Sequence, residues 1–114
     1  MTAYRGVVAD LDTALTVPVV TPRDPVRPPA VIVSPGTPWL EPYTGCAPIE
    51  RYELLVIAGT VDRINIDYEL DDLLELVLVA LDSTDLELVE AGPPTIVDLG
   101  GVQHLSTTVT VTTP

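Results

Sequence analysis

The sequence predicts an α+β fold: two helices packed on one side of a mostly antiparallel β-sheet, in the order α-β-β-β-α-β-β. Three stretches carry this reading. Tyr52–Thr60 (YELLVIAGT) is an unbroken, partly β-branched apolar run, as expected of a strand in the middle of a sheet and buried on both faces. Tyr68–Leu81 follows it with helical spacing. Thr95–Leu99 and Val102–Thr113 flank Gly100-Gly101, the form of a β-hairpin around a diglycine turn.

Taken in order, Thr2–Leu15 reads as the first helix. Thr2 can cap it, and Tyr4, Val7, Val8, Leu11, Ala14 and Leu15 recur at helical spacing, which turns Asp10 and Asp12 away from the core. A short strand, Val17–Thr21, stops at Pro22. Prolines at 22, 25, 28 and 29 then make Thr21–Pro29 an extended, polyproline-like arm that carries Arg23 and Arg27. Ala30–Ser34 (AVIVS) is a second buried strand. Pro35–Pro48 reads as a long loop in which prolines hold Trp39, Leu40 and Tyr43, a set suited either to docking or to covering the domain's own sheet.

The second helix can be tested by angle. At about 100° per residue, Ile66, Leu70, Leu73, Leu74, Val77, Leu78, Ala80 and Leu81 fall in one arc, and Asp67, Asp71, Asp72, Glu75 and Asp82 fall opposite. Asp62 or Asp67 is the expected cap. Leu76 and Val79 lie at the edge of the acidic face, either as incidental surface residues or as a seam buried by a neighbouring subunit. Leu86–Val89 has room for a short edge strand. In the last strand Leu105, Thr107, Val109 and Val111 share a core face, which leaves His104, Ser106, Thr108, Thr110 and Thr112 on an exposed or interface face.

Composition narrows the function classes. The 114 residues fit one domain, with the arm at 21–29 and the loop at 35–48. Seventeen acids face five arginines, without a lysine, for a formal charge of −12 that repels nucleic-acid phosphates. No apolar run approaches the roughly 20 residues that cross a bilayer, so a soluble, cytosolic product with no membrane partner is expected. Cys46 has no intrachain disulfide partner and no zinc-site neighbours, and His104 is the only histidine. Acid runs at Asp62 and Asp82 lack calcium-loop spacing, and no glycine-rich phosphate loop occurs. No metal, cofactor or catalytic residue is expected.

One enzyme alternative has a recognisable form. Val7–Leu15 looks like the first motif of the haloacid dehalogenase-like phosphatases, in which Asp10 would be the nucleophile and Asp12 the acid/base, with Mg²⁺ between. The family's downstream lysine has no counterpart here, its glycine before threonine is absent, and the chain is short for its usual core domain.

Taken whole, the chain resembles the tail terminator, or tail completion, proteins of long-tailed bacteriophages. The likeness rests on order, spacing and size: the leading helix Tyr4–Leu15, the proline arm running into Pro-Pro-Ala-Val-Ile-Val, the Gly-Cys-Ala loop, Tyr-Glu-Leu-Leu-Val-Ile, the helix Leu70–Leu81, and the closing Gly-Gly-Val-Gln-His-Leu-Ser-Thr-Thr-Val-Thr-Val hairpin. The resemblance implies a virion structural protein at the head–tail junction, assembled in the host cytoplasm. Its subunits would form a homo-hexameric ring that caps the tail tube protein, ends tail polymerisation and meets the head–tail connector and neck proteins. Genomic DNA would pass through its channel without specific binding. Another head–tail connector or neck protein is the nearest alternative. On this reading Arg23, Arg27, Trp39, Leu40 and Tyr43 are expected at contacts between subunits or rings, and the arginine arm is expected to meet an acidic neighbour face made by Asp71, Asp72 and Glu75.

Overall fold

The computed structural model describes residues 2–41 and 49–113, and the side chains of residues 2–3, 37–39 and 41 lie outside that description. Two helices, α1 (Thr2–Ala14) and α2 (Ile66–Asp82), lie on one face of a six-stranded sheet made of β1 (Val19–Val20), β2 (Ala30–Glu41), β3 (Ile49–Thr60), β4 (Glu87–Ala91), β5 (Thr95–Leu99) and β6 (Val102–Thr112). The expected α+β order is present, with β4 as the extra outer strand for which Leu86–Val89 left room. Across the sheet the order is β1-β2-β3-β6-β4, and β5 also pairs with β6. Every pairing is antiparallel except β1 with β2.

The core lies between the helices and one side of the sheet. Leu11 of α1, Val77 of α2, Val31 and Val33 of β2, Tyr52, Leu54 and Val56 of β3, and Val109 and Val111 of β6 are fully buried there. The periodicities explain why. The apolar arc of α2 is buried at Ile66, Leu70, Leu73, Val77, Ala80 and Leu81, and Asp67, Asp71, Asp72, Glu75 and Asp82 opposite it are exposed. On α1 the arc is buried at Val7, Leu11 and Leu15, while Ala14 is exposed.

Four expectations are corrected. The start of α2 is Asn65, not Asp62 or Asp67, and it caps through its backbone: φ is 66° and its side chain makes no capping bond. Asparagine tolerates this left-handed conformation better than most residues, and Asp67 and Glu69 then sit in the first turn, at the positive end of the helix dipole. Strand β2 runs on to Glu41, through the first half of the expected loop. Prolines 35 and 38 are accommodated because β1 covers β2 only at Val31 and Ile32, so both prolines lie on an open strand edge, and the register with β3 shifts between Pro35 and Leu40. Gly36 is required there, since a Cβ at this position would come within 2.5 Å of the Arg51 stem.

The third correction concerns β3. From Arg51 to Val56 burial alternates, so one face is covered, and only Val56–Gly59 is closed on both sides. The fourth concerns β6, whose second face is only partly open: His104, Ser106 and Thr110 are buried, while Thr108 and Thr112 are half-exposed. β6 has β3 on one side and β4 or β5 on the other, so its short hydroxyl side chains sit low between neighbouring strands, with Ile57 registered against Ser106 and Glu53 against Thr110. Ser106 Oγ donates to Thr95 O at 3.2 Å, which satisfies a buried hydroxyl.

The two outer strands β4 and β5 follow one another along the same edge of β6, separated by Gly92-Pro93-Pro94. Thr107 Oγ1 donates to Gly92 O at 2.6 Å, and Gly92 N–H donates to Thr108 O at 2.8 Å, so the break is itself anchored. At the hairpin, Gly100 and Gly101 have φ of 61° and 86°, the paired positive values that a two-residue turn of this kind demands.

Candidate interaction surfaces

The arm Thr21–Pro29 is the return path between β1 and β2, which parallel pairing requires, and it stands at the β1 end of the sheet. Its first part is a closed turn and not an extended segment. Asp24 N–H donates to Thr21 O at 3.0 Å, while Thr21 N–H and Thr21 Oγ1 both donate to Asp24 Oδ2 at 2.9 Å. These donors hold the Asp24 carboxyl below the usual aspartate range. Because the folded-state value is lowered, the turn is stabilised above the ordinary aspartate pKa and that stabilisation is lost as pH falls through the lowered value. The Thr21 amide resonance is therefore expected to be constant near neutral pH and to shift only in acid, below the midpoint of a free aspartate. A midpoint at the free-aspartate value would show that the turn does not hold in solution.

Arg23 and Arg27 are exposed on this arm and form no ion pair among the described residues. Arg63 differs. Its Nη2 lies 2.6 Å from Glu69 Oε1, a surface pair that ties the loop before α2 to the helix's first turn. Tyr4, Thr21, Pro22, Arg23 and Pro35 line one hollow beside the arm, and Arg5 lines the next one with Tyr4, Asp12 and Thr21. The β1 end thus gathers Arg5, Arg23 and Arg27. Tyr4 itself donates its hydroxyl to Val33 O, and burial, with a smaller contribution from Asp24, raises its pKa.

The structure divides the expected acidic face of α2. Asp71, Asp72 and Glu75 are all exposed, but Asp72 opens onto a hollow with Val17 and Pro29, at the foot of the same chain's arm. Glu75 belongs to a different place. It borders a groove of about 510 Å³ between α2 and β4, floored by Leu78, Val79, Leu86 and Leu88 and flanked also by Asp82 and Glu87. The turn after α2 builds this groove: Ser83 Oγ and Thr84 Oγ1 each donate at 2.8 Å to the last helical carbonyls, of Ala80 and Leu81, and Leu86 N–H donates back to Thr84 Oγ1 at 3.2 Å.

Val79 is 62% exposed and Leu88 49%, so the groove presents apolar surface that the fold itself does not cover. Sequence reasoning flagged Val79 but missed its partners. Leu86 and Leu88 come from a separate element, and only the turn chemistry of Ser83 and Thr84 could have hinted that β4 folds back beside the helix.

No family model matches the chain, and no curated protein matches it.

Among the described residues no three His, Cys, Asp or Glu side chains converge as metal ligands. Val7–Ala14 lies inside α1, so Asp10 and Asp12 sit on a helix, two residues and about 200° apart, and not at the end of a strand as the phosphatase motif requires. His104 is buried on β6, with Nδ1 3.1 Å from Val102 O. Leu40 is 38% exposed on the ribbon formed by the far ends of β2 and β3, where Leu40 is registered against Glu50. Tyr43 and Cys46 lie outside the described residues, as does the side chain of Trp39. No described helix is long and apolar enough to cross a membrane.

Proposed function

We propose that this chain is a ring-forming structural subunit of a phage tail, which caps the tail tube, ends its growth and joins it to the head–tail connector. One observation carries the reading: the described cations and acids are unevenly shared between the two ends of the sheet, the β1 end holding arginines beside Asp12 and Asp24 and the β4 end holding acids alone. Arg5, Arg23 and Arg27 stand at the β1 end, whereas Glu75, Asp82, Asp85, Glu87 and Glu90 surround the β4 end, and all eight are exposed. A subunit whose opposite ends attract one another associates head to tail, and such contacts form a closed ring when the rotation between copies allows it.

The remaining features suit the same task. A net charge of −12 per copy gives a ring a negative field through which DNA slides without adhering. The sheet face away from the helices offers Ile32, Leu55 and Thr108, half-exposed, and the β2–β3 ribbon extends beyond the end of β6. Both are surfaces on which a neighbouring ring can stack. The chain's place is then the virion, at the head–tail junction, with tube and neck proteins as partners and no bond made or broken.

The test is a length assay. Adding this chain to polymerising tube protein from the same phage is expected to halt growth and to leave one extra ring of density at a single end of each tube in negative-stain images. Tubes that grow to unchanged length without terminal density would overturn the assignment.

A further inference from the structure

We propose that the groove between α2 and β4 is the seat for the arginine arm of a second copy of this chain. The inference deepens the ring reading and rests on it for its setting. The groove is apolar at its floor, through Leu78, Val79, Leu86 and Leu88, and acidic along its sides, through Glu75, Asp82 and Glu87, and no cation lines it. Its occupant should therefore be a segment with apolar body and positive ends. Thr21–Pro29 has that composition, since it places Pro25 and Val26 between Arg23 and Arg27.

Three physical features favour this occupant. Its prolines at 22, 25, 28 and 29 carry no N–H, so laying the segment on an apolar floor strands few backbone donors. Spacing agrees as well. Glu75 and Asp82 are seven residues apart on one helix face, about 10 Å, within reach of two long arginine side chains whose backbones, four residues apart, are at most about 12 Å from one another and nearer where the Thr21–Asp24 turn shortens the arm. Finally, the acid within the arm, Asp24, is turned back onto Thr21 and stays charged, which leaves the two arginines in excess and the arm at a net charge of +1 against three carboxylates.

A chain cannot occupy its own seat. The arm lies at the β1 end and the groove at the β4 end, four strand spacings apart, or roughly 19 Å at about 4.8 Å each. Each copy therefore offers an arm to one neighbour and a groove to the other.

The test uses the full chain with Cys46→Ser, so that added thiols are the only ones present. Pro25→Cys and Val79→Cys are introduced singly and together, which keeps both arginines; both positions are exposed, and thermal unfolding checks that the fold is retained. Under mild oxidation the doubly substituted chain is expected to give a ladder of disulfide-linked dimers, trimers and higher species on a non-reducing gel, and either single variant should lose the ladder. Absence of a ladder from the double variant would overturn the seat, as would dimers formed equally well by Val79→Cys alone, which would mean that the groove meets its own like. The tube-length assay on the unaltered chain separates the two ideas. Capping without a ladder removes this seat and leaves the ring, whereas a ladder without capping leaves the contact and removes the ring.

Discussion

Tyr52→Ala is expected to destabilise the fold by about 3–5 kcal/mol, the largest effect of any single substitution considered for this chain. Tyr52 is the largest of the fully buried side chains, on the strand that holds the sheet together between β2 and β6. Its ring is stacked with Tyr4 at a centroid separation of 6.0 Å and an angle of 13°, so truncation leaves a cavity and also strips α1 of its aromatic partner. The hydroxyl contributes less. It donates to Glu50 Oε1 at 2.6 Å, and Tyr52→Phe, which keeps the ring and removes this bond, should cost only about 0.5–1.5 kcal/mol. Urea titration of the two variants decides the matter: equal losses would show that the hydroxyl and not ring packing dominates. Single domains are commonly stable by about 5–15 kcal/mol, so the alanine variant is expected to be close to unfolding at body temperature.

Reversing both Arg23 and Arg27 to glutamate is expected to abolish head-to-tail association while leaving the unfolding temperature of the subunit unchanged. Neither residue is buried or ion-paired among the described residues, so the fold loses no contact. The proposed head-to-tail contact would lose two charge-assisted pairs and gain two like-charge repulsions instead. Removing one partner of a desolvated charged pair commonly costs about 2–5 kcal/mol, enough to separate copies held by the proposed contact. Sedimentation velocity, or capping of tubes, reads the loss. If the reversed chain unfolds at a markedly lower temperature, the arm belongs to the interior architecture of the subunit and not to its contacts.

The helices were legible in the sequence because their apolar residues follow the 3.6 period closely enough to name Val77 and Leu81 as core and Asp71 and Glu75 as surface. The diglycine turn was legible for a different reason: two adjacent glycines between alternating runs leave little other than a tight hairpin. What the sequence hid was set by position in the sheet. Proline at 35 and 38 argues against a strand until one knows that β2 has an open edge there, and serine at 106 and threonine at 110 argue for exposure until β6 is seen between two neighbours. The candidate surfaces were half legible. Charge marked Arg23, Arg27 and Glu75, but the sequence cannot show that Asp72 and Glu75, three residues apart on one helix, open onto different hollows. Nor could it join Val79 to Leu88, which meet only because two hydroxyls turn the chain after α2.

The interruption at Gly92-Pro93-Pro94 also bears on how copies of this chain meet. An uninterrupted outer strand would template a further strand along its whole length, and sheets extended in that way grow without limit into fibrils. Here the proline pair removes two backbone donors from the rim and splits it into two five-residue halves, too short for durable sheet-to-sheet annealing. Along this rim, copies meeting in the proposed head-to-tail manner would do so through side chains, and such a contact ends in a finite ring when the rotation between copies closes it.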